Sequence, residues 1–110
     1  AIAFTPDGQN LITSSRDTTI RVWDVENSKV VQTLVGHSDT IYAVAMNPDG
    51  QTLASAGQDG IKFWNIQTGE LISELEGHGD WVRTIAFSPD GSLLASGSFD
   101  KTIKLWQPAP

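Results

Sequence analysis

Hydrophobic residues along the chain fall in short runs separated by turn-forming residues, and no run has the spacing of a helix. The segments Ile41–Met46 and Val82–Phe87 mix β-branched and small apolar residues, which is typical of strands. Each is followed by a Pro-Asp-Gly turn, in which proline fixes φ, aspartate bonds its own backbone and glycine accepts a positive φ. The pattern predicts an all-β fold of short antiparallel strands joined by tight turns.

The same pattern predicts eleven strands in all. Second strands contain Leu-Ala-Ser in the second and third copies, third strands contain a tryptophan, and fourth strands are expected at Lys29–Leu34 and Glu70–Leu75. The first of the third strands, TIRVWDV, is expected to run through Val25 with apolar residues on both faces. A strand of this kind belongs to a sheet that is covered on both sides.

The predicted strands repeat with a period of about forty residues. The Pro-Asp-Gly turn recurs at spacings of 42 and 41 residues, and the tryptophans at Trp23, Trp64 and Trp106 recur at spacings of 41 and 42. Residues 36–59 and 77–100 align without a gap and share 11 of 24 positions. Four strands per period, in a sheet with both faces covered, is the pattern of a β-propeller blade.

The ordered elements Gly-His, Pro-Asp-Gly, Leu-x-Ser, Asp and Ile-x-x-Trp resemble the WD-repeat β-propeller family, and the resemblance covers essentially the whole chain. The name-giving pair is intact as Trp23-Asp24, whereas the other two copies have Trp-Asn and Trp-Gln. The resemblance implies one partial propeller domain over residues 1–110. It divides into a first blade without its Gly-His loop (1–35), a second blade (36–76) and a third blade without its outer strand (77–110).

About two and three-quarter blades cannot close a ring, because propellers typically have four to eight. The two outer blades would then expose apolar faces and strand edges. The last residues, IKLWQPAP, resemble the natural end of a propeller, and AIAF at the start falls inside a strand. We therefore expect the C-terminal part of a larger propeller, seven-bladed by family analogy. The alternative is a chain that closes a ring with copies of itself.

Serine, histidine and aspartate recur at fixed spacing, which at first suggests a catalytic triad. His to Ser is 18 residues and Ser to Asp is 4 residues in both full copies. The resemblance implies instead a buried structural network, in which the Trp N–H, Ser hydroxyl, His ring and Asp carboxylate bond in series. A nucleophile needs no second copy, and a buried indole N–H needs an acceptor. The predicted network residues are His37, Ser55, Asp59 and Trp64 in the second copy and His78, Ser96, Asp100 and Trp106 in the third. The first copy keeps Thr13, Asp17 and Trp23, but its histidine would precede residue 1, so we expect its network to be incomplete.

Loops on one face of a propeller carry its function. The resemblance implies that partner contacts lie three and five positions after the histidine and directly before the turn aspartate. These positions differ between copies while the frame stays constant, as expected of residues aimed at a partner. The candidates are Thr40, Tyr42 and Gln58 in the second copy, Trp81, Arg83 and Phe99 in the third, and Arg16 in the first. For Trp81, the alternatives of rim packing and partner anchor both stay open.

Composition excludes several other classes of protein. The 110 residues include no cysteine and carry a net charge of −6, and the basic residues are scattered rather than arranged in a stripe. We therefore expect no nucleic-acid partner. No apolar run approaches the roughly 20 residues of a membrane span, so we expect no membrane partner. The sequence has no phosphate-binding glycine loop and no metal-ligand cluster, so no cofactor and no metal are expected. The missing cysteines and the absence of a signal-peptide pattern favour a cytoplasmic location.

These features favour a non-catalytic protein–protein interaction scaffold that binds a protein or peptide through loops on one face of the propeller. Enzymatic activity is not expected, because every candidate acid, base, ligand or nucleophile has a structural explanation. The alternative is an accessory regulatory propeller attached to a kinase, protease-like or nucleotide-hydrolysing domain outside this segment. In either case, further blades or copies of the chain are needed to close the ring.

Overall fold

A computed structural model of the chain describes residues 1–15, 17–75, 78 and 80–107. Within these residues the backbone forms eleven β-strands and no helix. The strands are β1 (Ile2–Phe4), β2 (Asn10–Ser14), β3 (Ile20–Asp24), β4 (Lys29–Leu34), β5 (Ile41–Met46), β6 (Thr52–Gly57), β7 (Gly60–Asn65), β8 (Glu70–Leu75), β9 (Val82–Phe87), β10 (Leu94–Ser98) and β11 (Ile103–Trp106). This part of the chain therefore has no helix that is long and apolar enough to cross a membrane.

The strands form three antiparallel sheets, each with its strands in chain order. The first sheet is β1-β2-β3-β4, the second is β5-β6-β7-β8, and the third is β9-β10-β11. In the described part of the chain they lie side by side as propeller blades, with β5 contacting both β1 and β9, and do not close a ring. The prediction of an all-β fold of antiparallel blades in an incomplete ring is therefore confirmed.

The Pro-Asp-Gly turns follow from local chemistry. In the turn between β5 and β6, Gly50 has a φ of 74°, a conformation that favours glycine. The Asp49 carboxylate accepts the backbone N–H of Gln51 at 2.8 Å, which holds the turn closed.

The predicted extension of β3 through Val25 is wrong. The strand ends at Asp24, whose carboxylate accepts the backbone N–H of Glu26 at 3.1 Å and starts the next turn. Val25 is consequently 44% exposed and does not belong to an apolar strand face.

Two hydrophobic cores lie between the sheets, one on each face of the second sheet. The strand β7 contributes to both, because its side chains alternate: Trp64 faces the first sheet, whereas Ile61 and Phe63 face the third. The core between the first and second sheets contains Ile12, Ile20, Val22, Leu34, Ile41, Leu53, Trp64 and Ile66. The core between the second and third sheets contains Ala54, Ala56, Ile61, Phe63, Val82, Ile85 and Leu94.

The outer sheets each keep one apolar face uncovered. On the third sheet, Ile103 is 80% exposed and Leu105 is 69% exposed. On the first sheet, Ile2 and Phe4 are 66% and 59% exposed. Both outer blades therefore expose an apolar face, as expected of an incomplete ring, and only the second sheet is covered on both sides.

Truncating a leucine between the sheets should cost far more than truncating one on the open face. Leu53 is fully buried between the first and second sheets, so Leu53→Ala should lower the free energy of unfolding by about 2–5 kcal/mol. The matched change Leu105→Ala should lower it by less than about 0.5 kcal/mol. Urea unfolding followed by circular dichroism measures both. Equal losses would contradict the assignment of the buried face.

Candidate partner-binding site

A hydrogen-bonded network crosses the second blade and holds the loop before β5. The indole Nε1–H of Trp64 donates to the Ser55 hydroxyl at 2.8 Å, and that hydroxyl lies 2.5 Å from Nε2 of His37. The other ring nitrogen of His37 lies 2.7 Å from Asp59 Oδ1. The second carboxylate oxygen of Asp59 accepts the backbone N–H of Ser38 at 2.8 Å. The network thus joins β7, β6, the β6–β7 turn and the loop that leads into β5.

Every polar atom of this network has a partner when His37 is neutral. Nδ1–H then donates to Asp59, Nε2 accepts the Ser55 O–H, and the Ser55 oxygen accepts the Trp64 N–H. Burial lowers the pKa of His37 below its usual 6.5, and this effect outweighs the opposing influence of Asp59. Although burial raises the pKa of Asp59, its bonds to the Ser38 backbone and to His37 outweigh it, so the pKa of Asp59 is also lowered.

The third blade has the same network. The Trp106 Nε1–H donates to Ser96 at 2.7 Å, His78 Nε2 lies 2.7 Å from the same hydroxyl, and its Nδ1 lies 2.9 Å from Asp100. Trp106 is only partly buried, because no fourth strand covers β11 in the described residues.

The first blade has two separate pairs in place of the network. The Trp23 indole N–H donates to Thr13 at 2.9 Å. The Asp17 carboxylate instead binds Arg21 at 2.8 Å and accepts the Thr19 backbone N–H at 3.0 Å. Hydrogen bonds from Thr19, with a smaller contribution from Arg21, lower the pKa of Asp17 to about 2.

The serine–histidine–aspartate geometry is unsuited to nucleophilic catalysis. Ser55 has no exposed surface, and the His37 side chain is also fully buried. The Ser55 hydroxyl is further occupied by Trp64 on one side and by His37 on the other. A nucleophile must reach a substrate atom, and this hydroxyl faces only protein. Among the described residues, no group of three or more His, Cys, Asp or Glu side chains is placed to hold a metal ion.

Four of the sequence-predicted partner residues meet in one exposed cluster between the second and third blades. We call Tyr42, Trp81, Arg83 and Phe99 the aromatic–arginine cluster. Trp81 stacks on Tyr42 with ring centroids 5.7 Å apart and meets Phe99 at 6.0 Å. The Arg83 guanidinium carbon lies 4.7 Å from the Tyr42 ring centroid and 5.0 Å from that of Phe99. Trp81 is 38% exposed and Phe99 is 50% exposed.

Gln58 and Thr40 support the cluster from the second blade. With the Gln58 amide assigned so that its oxygen faces the indole, it accepts the Trp81 Nε1–H at 3.1 Å and donates to Asp39 at 2.6 Å. The Gln58 backbone N–H donates to the Thr40 carbonyl at 3.1 Å, and the Phe99 N–H donates to the Trp81 carbonyl at 3.0 Å. The remaining candidate, Arg16, lies outside the described residues.

Two residues that support the cluster and one buried ion pair were missed by the sequence analysis. Asp39 and Asp80 each accept the backbone N–H of the following residue, at 2.8 and 2.7 Å, and so shape the two loops under the cluster. Their recurrence at the same position of two copies was an available signal. Lys62 is buried and pairs with Glu74 at 2.7 Å on the neighbouring strand. That pair depends on strand register, for which a single lysine gives no signal.

A family model described as "WD40: WD domain, G-beta repeat" matches residues 1–24, 28–65 and 69–107. These three matches cover nearly the whole chain. Each matched unit after the first begins near a fourth strand and ends at or just after a third strand, so one sequence repeat spans parts of two neighbouring blades.

Curated relatives share substantial identity over about half of the chain. The general transcriptional corepressor TUP1 of Saccharomyces cerevisiae is 46% identical over 44 residues, covering 40% of this chain and 6% of that protein. WD repeat and SOCS box-containing protein 1 of Danio rerio is 41% identical over 58 residues, covering 51% and 14%. Small ribosomal subunit protein RACK1 of Neurospora crassa is 36% identical over 61 residues, covering 54% and 19%. The matched segment is therefore a small part of each relative.

Removing His37 should destabilise the fold. His37→Ala leaves the Ser55 hydroxyl and the Asp59 carboxylate without their buried partner, so the free energy of unfolding should fall by about 1–3 kcal/mol. Val35 serves as a control because it is 72% exposed two positions before His37, and Val35→Ala should change the free energy of unfolding by less than about 0.5 kcal/mol. An unchanged melting temperature for His37→Ala would show that the network does not stabilise the blade.

Stability should decrease as the pH falls below about 6.5. Because the pKa of His37 is lowered in the folded state, the unfolded chain takes up a proton first, and protonation favours unfolding. The contribution of His37 is thus complete above its unfolded pKa and is lost as the pH falls towards the folded value. Urea unfolding at pH 7.5 and 5.5 should show this loss, and His37→Gln should show a smaller one. Identical pH profiles for the two proteins would contradict the assignment.

Proposed function

The chain belongs to the WD40 repeat family, and we propose that it is a non-catalytic scaffold that binds a protein or peptide through the aromatic–arginine cluster. WD40 repeats generally mediate protein–protein interaction, so the class of function follows from the family. The geometry of this chain supports the choice of the aromatic–arginine cluster as the binding surface.

The observation that carries the proposal is that positions differing between the repeats converge on one exposed surface. The residues of the network recur in the second and third blades, because each blade needs them to satisfy its own buried indole. Trp81 stands where the second copy has Thr40, and Arg83 where it has Tyr42. The cluster nevertheless draws side chains from both blades into contact. Aromatic residues and arginine together are the composition typical of interface hot spots.

Exposure of the cluster supports a role beyond packing. A tryptophan that only filled a gap would be buried, whereas Trp81 is 38% exposed and Phe99 beside it is 50% exposed. Trp81 also packs on Tyr42 and donates its indole N–H to Gln58, so its orientation is fixed. A rigid, partly exposed aromatic side chain loses little entropy when a partner covers it.

A cleft adjoins the cluster through Gln58, which accepts the Trp81 Nε1–H. It has a volume of about 260 Å³ between the second and third blades and is lined in part by Gln58, Asp80 and Val82. The buried Ser55 hydroxyl supports binding rather than catalysis. That nucleic acid is not a partner stays a prediction.

Trp81→Ala tests the proposal, with Leu93→Ala as the matched control. Leu93 has a similar exposed fraction, 41%, and lies in the turn between β9 and β10. Peptides are first selected on the wild-type chain from a displayed random library, and their affinities are then measured by calorimetry. Trp81→Ala should weaken binding at least tenfold, and Leu93→Ala should leave it unchanged.

The same variants separate binding from packing. Because Trp81 is only partly buried, its removal should lower the free energy of unfolding by less than the roughly 3–5 kcal/mol of a buried tryptophan. Unchanged peptide affinity would mean that the proposal is wrong, and a stability loss in that range would then show that Trp81 serves the fold alone.

A further inference from the structure

Arg83 differs from Arg21 and Lys62 in what holds its charged group. Its guanidinium is flanked by two ring faces, with Tyr42 at 4.7 Å and Phe99 at 5.0 Å. Arginine stacks on aromatic rings through its planar face, which leaves the N–H groups around its edge free to donate. The two rings therefore orient the guanidinium without using its hydrogen-bond donors.

Those donors have no acceptor within the part of the chain that the structure describes. Arg21 pairs with Asp17 at 2.8 Å, and Lys62 pairs with Glu74 at 2.7 Å, whereas Arg83 makes no ion pair and donates no hydrogen bond to a described residue. A guanidinium that is held in place at the surface, with no acceptor in the protein, can donate two parallel hydrogen bonds to an acceptor on a bound partner.

The carboxylates of the same two loops are already engaged. Asp39 accepts the Thr40 backbone N–H at 2.8 Å and the Gln58 amide at 2.6 Å. Asp80 accepts the Trp81 backbone N–H at 2.7 Å. Their bonds hold the loops, and among the described residues neither carboxylate forms an ion pair with Arg83, although both keep their negative charge. The chain's net charge of −6 repels an acidic partner at long range, but salt screens such repulsion beyond about 8 Å at physiological ionic strength.

We propose that Arg83 anchors an oxyanion of the bound peptide, either a carboxylate or a phosphate group. In that peptide the oxyanion lies next to an aromatic or aliphatic residue. This inference rests on the proposed function. The guanidinium fork pairs with two oxygens of the anion, and the exposed surfaces of Trp81 and Phe99 cover the adjacent apolar side chain. A lysine- or arginine-bearing peptide is disfavoured, because Arg83 already occupies the ring faces that attract a cation and repels a second one.

Three capped pentapeptides, Gly-Phe-Xaa-Phe-Gly with Xaa as glutamate, phosphoserine or lysine, test the proposal. Each is titrated into the ¹⁵N-labelled chain, and the Arg83 side-chain Nε–Hε resonance is followed. The glutamate and phosphoserine peptides should move it saturably and the lysine peptide should not. Binding of the glutamate peptide alone would assign a carboxylate, and tighter binding of the phosphoserine peptide would assign a phosphate.

Two variants isolate the guanidinium. Arg83→Gln should lower the affinity for the anionic peptides at least tenfold. Arg83→Lys should lower it less, since lysine keeps the charge but lacks the planar guanidinium. Lys29→Gln removes the same charge from an exposed position on the first blade and should change nothing. The chemical shifts of the backbone amides report whether each variant keeps the fold.

The proposal is overturned if the lysine peptide binds as well as the anionic ones, or if Arg83→Gln binds them like the wild type. It is also overturned if neither anionic peptide moves the Arg83 resonance. The library-selected peptides show whether only the oxyanion anchor is wrong or whether peptide binding by the cluster is wrong as well. If Trp81→Ala weakens them and Arg83→Gln does not, the cluster binds peptides without an oxyanion anchor. If Trp81→Ala leaves them unchanged, the site itself is wrong.

Discussion

A buried indole N–H must find an acceptor, and the structure of each full blade depends on how this need is met. In the second blade Trp64 packs in the core between two sheets, where no water competes for its N–H, and Ser55 accepts it. His37 and Asp59 complete the chain of bonds and end it at the loop backbone. One constraint in the core therefore fixes the conformation of a loop on the surface. That loop leads directly into the strand that carries Tyr42.

The hydrogen-bonded network that stabilises the second and third blades also positions the candidate site. His37 and His78 hold the two loops before β5 and β9, and the side chains that follow them meet across the boundary between blades. Packing of Ile61 and Phe63 against the third sheet sets the distance between the two blades. The fold thus supplies a rigid frame, and a few positions that the frame does not need can carry the partner chemistry.

Much of the fold could be predicted from the sequence, because the repeat makes each signal occur more than once. The bounds of β4, β5, β8 and β9 agree with the prediction, since alternating apolar residues and turn residues mark both ends. The end of β3 was predicted wrongly, because Val25 continues the apolar pattern of the strand although Asp24 already starts a turn. The question of whether Trp81 is a rim residue or an anchor could not be answered from sequence. Its contact with Tyr42 depends on how two blades are rotated against each other, and the residues lie on different repeats.

The central claim is that residues constant between repeats build the fold and residues that differ between repeats bind the partner. It is tested most directly by giving the third blade the binding positions of the second, with Trp81→Thr, Arg83→Tyr and Phe99→Gln in one chain. Unfolding by urea and binding of the library-selected peptides are then measured together. The account predicts that the variant still unfolds cooperatively, with the folded state retained, and no longer binds the peptides. Retained binding, or loss of the folded state, would contradict it.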